Sequence, residues 1–229
     1  MHNDILYITL TLAVFCGAQW LQRKTGWILL NPVLLAIALI IGILKAGNIS
    51  YHAYEEGGRY IAFFLKPAIV ALAVPLYRQL EQIKKQAIPI LASQLVACIT
   101  GILAALFVAQ MLGAPQQIGI SLSPKSVTTP IAMEIARVLG GIPALTAIIV
   151  IITGIFGAIV GMVFLKLVRV KSPIAQGLAM GAAAHAMGTA QVMKKTPRIG
   201  AYASVGLIVN GILTGLLAPW LLQLIQRLS

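Results

Sequence analysis

Acidic residues are scarce: the 229 residues hold five Asp and Glu against 17 Lys and Arg, and only 10% of side chains are charged. A soluble domain is roughly one-quarter charged. No polar stretch here is long enough to form one, so a single transmembrane domain over residues 1–229 is expected. Cysteine is scarcer still. Cys16 and Cys98 lie inside apolar runs, with no CxxC and no Cys/His ligand spacing. That pattern argues against a disulfide framework or a metal site, and both thiols read as small reduced core residues. No aromatic-rich basic patch exists, which argues against nucleic acid as a partner. A cleaved signal is not evident either. Asp4 sits where a positive n-region would be, so the first apolar run is expected to be a retained helix.

Apolar residues are abundant, at 59% of the chain with a mean hydropathy of +0.95. At about 20 apolar residues per crossing, the length allows roughly seven or eight spans. The apolar runs cover residues 5–21, 28–44, 60–77, 88–112, 143–165 and 199–225, with polar-interrupted segments at 118–140 and 173–193. Asn31-Pro32 opens the second run, where proline fits a first helical turn. A polar stretch, 45–59, precedes the third run, which carries Lys66, Pro67 and Pro75. Lys66 is expected to snorkel outward. The net charge of +12 is spread between the runs, as cytoplasmic retention of short basic loops produces. Glycine pairs at 157/161, 177/181 and 211/215 suit close helix packing in lipid.

Two segments do not read as plain spans. The first is Ser121-Leu122-Ser123-Pro124-Lys125-Ser126-Val127-Thr128-Thr129-Pro130-Ile131-Ala132. Two prolines six residues apart exclude an unbroken helix. Thr129 is a good N-cap with Pro130 at the first helical position, and the helix from there to Gly140 is about 16 Å long, half a bilayer. Irregular backbone at that depth is tolerated only inside protein or beside a wet cavity. A half-helix N-terminus favours an anion, and Lys125, Ser126, Thr128 and Thr129 stand beside it as carboxylate ligands. The plainer alternative is an extramembrane loop with a solvated Lys125.

The second segment is Gly181-Ala182-Ala183-Ala184-His185-Ala186-Met187-Gly188-Thr189-Ala190. On one helix His185 and Thr189 would share a face; otherwise Gly188 ends one half-helix and Thr189 caps the next. An ionisable residue among alanines in a membrane is a functional candidate, and imidazole titrates near neutral pH, so His185 is a candidate for a coupled proton. The alternative is a histidine bonded across helices for packing alone. Glu134 is the only acid well inside an apolar stretch, a second coupling candidate or a partner for Lys125; more plainly, it pairs with Arg137. Ser123, Ser126, His185 and Glu134 do not amount to a hydrolase, since no nucleophile elbow or metal motif accompanies them, and no enzyme is expected.

Charge also bears on topology. Eight alternating crossings would set Lys166, Arg169 and Lys171 opposite Arg78, Lys84 and Lys85, against the positive-inside rule. If both polar segments are re-entrant, all these loops share one side, and the segments open from opposite faces as an inverted repeat requires. The alternative is two broken helices that cross fully. Either way the expected fold is all-α, a polytopic transmembrane bundle with two broken or re-entrant segments.

Asn31-Pro32, the stretch from Pro67 to Tyr77, the string PKSVTTPIA from Pro124 to Ala132 and the string HAMGTA from His185 to Ala190 together resemble the LrgB/CidB/YohK family of membrane proteins. The resemblance spans nearly the whole chain. Lys66, in place of an uncharged residue, and Met187, in place of a branched aliphatic, depart from its pattern. It implies a multi-pass protein of the bacterial inner membrane without cofactor or metal. It implies either transport of a small monocarboxylate (pyruvate, glycolate or glycerate class) or a holin-like or antiholin-like role in murein hydrolase and lysis control. A homo-oligomer and a small LrgA/CidA-type membrane partner are implied alongside. The small-monocarboxylate class agrees with the site expected from the residues themselves, Lys125, Ser126, Thr128, Thr129, His185, Gly188 and Thr189. An ion or proton antiporter is a more distant reading.

Overall fold

The computed structural model describes residues 2–27, 30, 32–64, 67, 70, 77 and 80–228. Asn31, Lys66 and Pro75 lie outside the described residues, as does most of the run expected at 60–77. Every described element is a helix, in two compact units, 1–70 and 71–229.

The first unit holds α1 (His2–Thr25), α2 (Pro32–Ala46) and α3 (Tyr51–Phe63). α1 is long and apolar enough to cross a membrane, and Ile5, Leu6, Leu12 and Trp20 lie exposed along it. Cys16 is exposed too, so only Cys98 is a core thiol. The stretch expected to be a polar connection contains α3. Ser50 caps it by accepting from the Ala53 N–H at 3.3 Å. Tyr54 turns toward α1, where its hydroxyl lies 2.8 Å from Thr11 Oγ1 and its ring meets Tyr7 edge to face. A Cβ on Gly57 would lie 2.8 Å from Asp4 O, so only glycine lets the two helices approach this closely.

The second unit holds α4 (Leu80–Lys85), α5 (Ala87–Met111), α6 (Gln116–Leu122), α7 (Thr129–Val138), α8 (Pro143–Leu167), α9 (Pro173–Lys195) and α10 (Pro197–Leu228). α5, α8 and α10 are full-length spans, which with α1 makes four among the described residues, fewer than the seven or eight that length allows. The difference lies partly in the two polar segments, neither of which crosses.

The first of them folds back between α6 and α7. On the way in, Gly119 faces Leu106 and Ala109 of α5, and Lys125 reaches Gly101, deeper along the same helix. Gly101 lies ten residues, about 15 Å, from the α5 C-terminus. On the way out, Ile135 and Leu139 return to the cluster of Ile102, Leu106 and Ala218. Gly140, at φ 80°, ends α7 as glycine best can, and the Gly141 N–H closes the turn onto Ala136 O at 2.7 Å. The Ile142 N–H then donates to Ser121 Oγ at 2.8 Å, so the chain is back where it entered.

The second hairpin opens at the other end of the bundle. Gly161 of α8 faces Met180, Gly157 faces Ala184 and Gly154 faces His185, so the first arm of α9 descends antiparallel to α8. The helix breaks at His185, with φ 40° and ψ −137°, a conformation costing a non-glycine residue about 1–3 kcal/mol. Beyond it Gly188 lies against Ala184 and Met180 O, and Val192 returns to Met180, Ile199 and Ala203 beside Met162 and Leu165. Glycines also let the first arm pack closely on α10: a Cβ on Gly177 would lie 2.5 Å from Ile199 O, and one on Gly181 would collide with Ala203 O. A Cβ on Gly211 would lie 3.3 Å from Ile131 Cδ1 of α7, whereas one on Gly215 would meet no described atom within 4 Å.

α5 followed by the α6–α7 hairpin, and α8 followed by the folded α9, thus form an inverted repeat with opposed re-entrant hairpins. The α9 hairpin opens at the end carrying Lys84, Lys85, Lys166, Arg169, Lys171 and Lys194. Both polar segments fold back on themselves within this unit, the geometry of the re-entrant alternative. Ser121 fixes the mouth of the first hairpin, since Thr146 Oγ1 also donates to its carbonyl at 2.9 Å. Ser121→Ala orphans the Ile142 N–H and should cost about 1–3 kcal/mol. The expected readout is a lower thermal midpoint with helicity retained; an unchanged midpoint would mean that the Ile142 N–H finds another partner.

Candidate functional site

The two hairpin tips both lie against residues of α8 and α10. Tip one, residues 123–128, is buried: Ser123, Pro124 and Val127 are each 2% exposed or less. It is not the extramembrane loop of the plainer reading. Lys125 is partly buried, and its ammonium donates to Gly101 O at 2.8 Å. That carbonyl is neutral, so it does not act as a counter-ion to the ammonium. The helix begins one residue earlier than expected. Thr128 is the N-cap of α7, while Thr129 is its first residue and is half-buried. The Thr128 hydroxyl does not make the capping bond, and Oγ1 is buried without any partner.

At tip two the break falls on His185 itself and not on Gly188. The imidazole is 3% exposed and lies over Gly154, where a Cβ would come within 2.6 Å of Cε1. Its Nε2 sits 2.9 Å from Val150 O. A carbonyl only accepts, so Nε2 carries the hydrogen and Nδ1 is the atom that would take a further proton. Thr189, on the returning arm, is buried with Oγ1 unpartnered. Gly188 serves the fold-back, since a side chain there would strike the first arm.

Two buried amides join the arrangement, and neither is among the residues expected from sequence. Asn210 of α10, 1% exposed, donates from Nδ2 to Ser126 O at 3.5 Å and to Ala182 O at 3.3 Å. It therefore touches both hairpin segments. Its Oδ1 is buried and unpartnered. Gln94 of α5 donates to Leu178 O, one turn from Ala182, and its Oε1 is likewise unpartnered. The available signal was an amide inside an apolar run. Tip one is held by the span after hairpin two, through Asn210, and tip two by the span after hairpin one, through Val150. The spacing repeats as well: Val150 follows Ser126 by 24 residues, and Asn210 follows His185 by 25.

Glu134 stands apart from this centre. It is half-exposed on α7 and accepts from Arg137 Nη1 at 2.6 Å, the plainer of its two readings, whereas Lys125 turns to Gly101 O. Each unpartnered buried polar atom costs about 1–3 kcal/mol. Thr128 Oγ1, Thr189 Oγ1 and Asn210 Oδ1 are three such atoms, at the N-cap of α7 and on α9 and α10.

The model of the LrgB-like family matches residues 11–224 of the chain. A Haemophilus influenzae protein without an assigned function is 39% identical, the alignment covering 98% of each chain. The Bacillus subtilis protein YxaC, also without an assigned function, is 37% identical over 96% of this chain and 97% of its own. A Bacillus cereus protein named antiholin-like protein LrgB is 37% identical over 91% of each. None of these names describes an enzyme. No solved structure matches.

Proposed function

We propose that this chain, which belongs to the LrgB-like family of multi-pass membrane proteins, is a secondary transporter of a small monocarboxylate in the bacterial inner membrane. One observation supports the reading: two hairpins fold back from opposite ends of the unit, and Asn210, with its own Oδ1 buried and unpartnered, bonds to both. Alternating-access transporters place their sites at such repeat interfaces, with half-helix N-termini toward anionic groups. Lys125 supplies the counter-charge, Ser126, Thr128, Thr129 and Thr189 the hydroxyls, and His185 a titratable group. The positive-inside rule sets the basic end, where the α9 hairpin opens, in the cytoplasm. A homo-oligomer and a small LrgA/CidA-type partner belong to this proposal.

A second reading is an antiholin-like auxiliary role in lysis control. The relatives' names stand behind it and not behind transport, which rests on geometry and on residue chemistry. Uptake by the purified chain in proteoliposomes separates the two. A transporter gives saturable, stereoselective uptake of a small monocarboxylate. A pore component gives size-limited leakage without saturation, or no flux at all without its partner, and either result would overturn the transport reading.

A further inference from the structure

We propose that Asn210 is a specificity-determining residue of this site, reading a hydroxyl next to the carboxylate of the ligand. The inference rests on the transport reading and adds to it a residue and a chemical preference. The orientation of the amide follows from its neighbours. Ser126 O and Ala182 O both accept, so the NH2 group must face them, and Oδ1 is left as a buried acceptor with nothing to accept from. The side-chain groups on the tip segments themselves are of a different kind. Thr128 and Thr189 carry hydroxyls, which rotate to donate, and Lys125 is a donor alone. All of these suit a carboxylate, which only accepts. Asn210 Oδ1 does not suit one, because a carboxylate oxygen brought against it sets two acceptors together.

A ligand that satisfies every group therefore carries a carboxylate and, close beside it, a donor. A 2-hydroxy acid has both. A 2-oxo acid of the same size offers only acceptors and leaves Oδ1 unmet. Sites built to bond a substrate hydroxyl reject the analogue that lacks it far more strongly than apolar pockets discriminate by size.

The experiment titrates the purified full chain in nanodiscs with L-lactate, D-lactate and pyruvate, which differ little in volume, and repeats this with Asn210→Leu. The expected result is that at least one lactate enantiomer binds about tenfold or more tighter than pyruvate. In Asn210→Leu the preference should fall to near unity, mainly through loss of lactate affinity. Equal wild-type affinities for lactate and pyruvate would overturn the proposal while leaving the transport reading intact. So would a preference that survives in the variant. If none of the three binds the wild-type chain, the monocarboxylate reading itself fails and the assignment of Asn210 fails with it. Should Asn210→Leu fail to fold, the wild-type ratio decides alone.

Discussion

Lys125→Ala should reduce monocarboxylate binding by about a hundredfold or more, the scale of removing one charge-assisted hydrogen bond at a shielded site. Three observations support so large an effect. Lys125 lies on the tip of a re-entrant hairpin, just before the N-terminus of α7, and its ammonium meets a neutral carbonyl. No described cation stands with it at the tips, since Arg137 is outside the centre and paired with Glu134. The bond to Gly101 O holds the hairpin to α5, so the variant also loses some stability, but the apolar packing of Ile135 and Leu139 on α5 and α10 remains. Calorimetry on Lys125→Ala, with helicity and thermal midpoint measured in parallel, separates the two effects. Wild-type affinity in a folded variant would remove Lys125 from the site.

The second large effect concerns His185. Its strained backbone persists where Gly154 leaves room for the ring and Val150 O fixes Nε2–H, an outlier of the kind that gathers at functional sites. If Nδ1 carries the coupled proton, His185→Gln should bind and exchange substrate yet lose accumulation driven by a pH gradient. Glutamine keeps a donor for Val150 O but cannot titrate. Accumulation at the wild-type level in that variant would confine His185 to hydrogen bonding. Glu134 would be a weak replacement, because it is half-exposed and already paired with Arg137.

Some of this was legible in the sequence and some was not, for reasons of chemistry. The runs that became α5, α8 and α10 are long and uniformly apolar, so length alone identifies them. The break in the first hairpin is legible because Pro124 and Pro130 cannot sit within one helix. Charge parity pointed to re-entrance because loops of one sign must share a side. Neither reading of the second segment, an unbroken helix or one ended by Gly188, puts the break at His185. Gly188 is the residue that tolerates unusual backbone most cheaply, but the fold puts the turn on His185, where Val150 and Gly154 hold the ring. The capping hydroxyl was misplaced by one residue for a similar reason: Thr128 and Thr129 are equivalent in propensity, and packing decides between them. Asn210 was not legible as a site residue. An amide inside an apolar run marks it as unusual, but its partners lie 84 and 28 residues away, so its role between the two segments has no local signature. α3 was missed because its sequence is polar, and its packing on α1 depends on Gly57 and Tyr54.

The opposed hairpins are the premise of everything proposed for the site, and side-specific thiol labelling tests them most directly. Single cysteines replace Gln116, Val138, Arg169 or Lys194 in a background lacking the exposed Cys16, and an impermeant reagent is applied to sealed vesicles of either orientation. The fold requires 116 and 138, the two ends of the first hairpin, to label from one side of the membrane. It requires 169 and 194, which flank the second hairpin, to label together from the other. Labelling of 116 and 138 from opposite sides would mean that the first segment crosses the bilayer, and the inverted repeat would be lost with it.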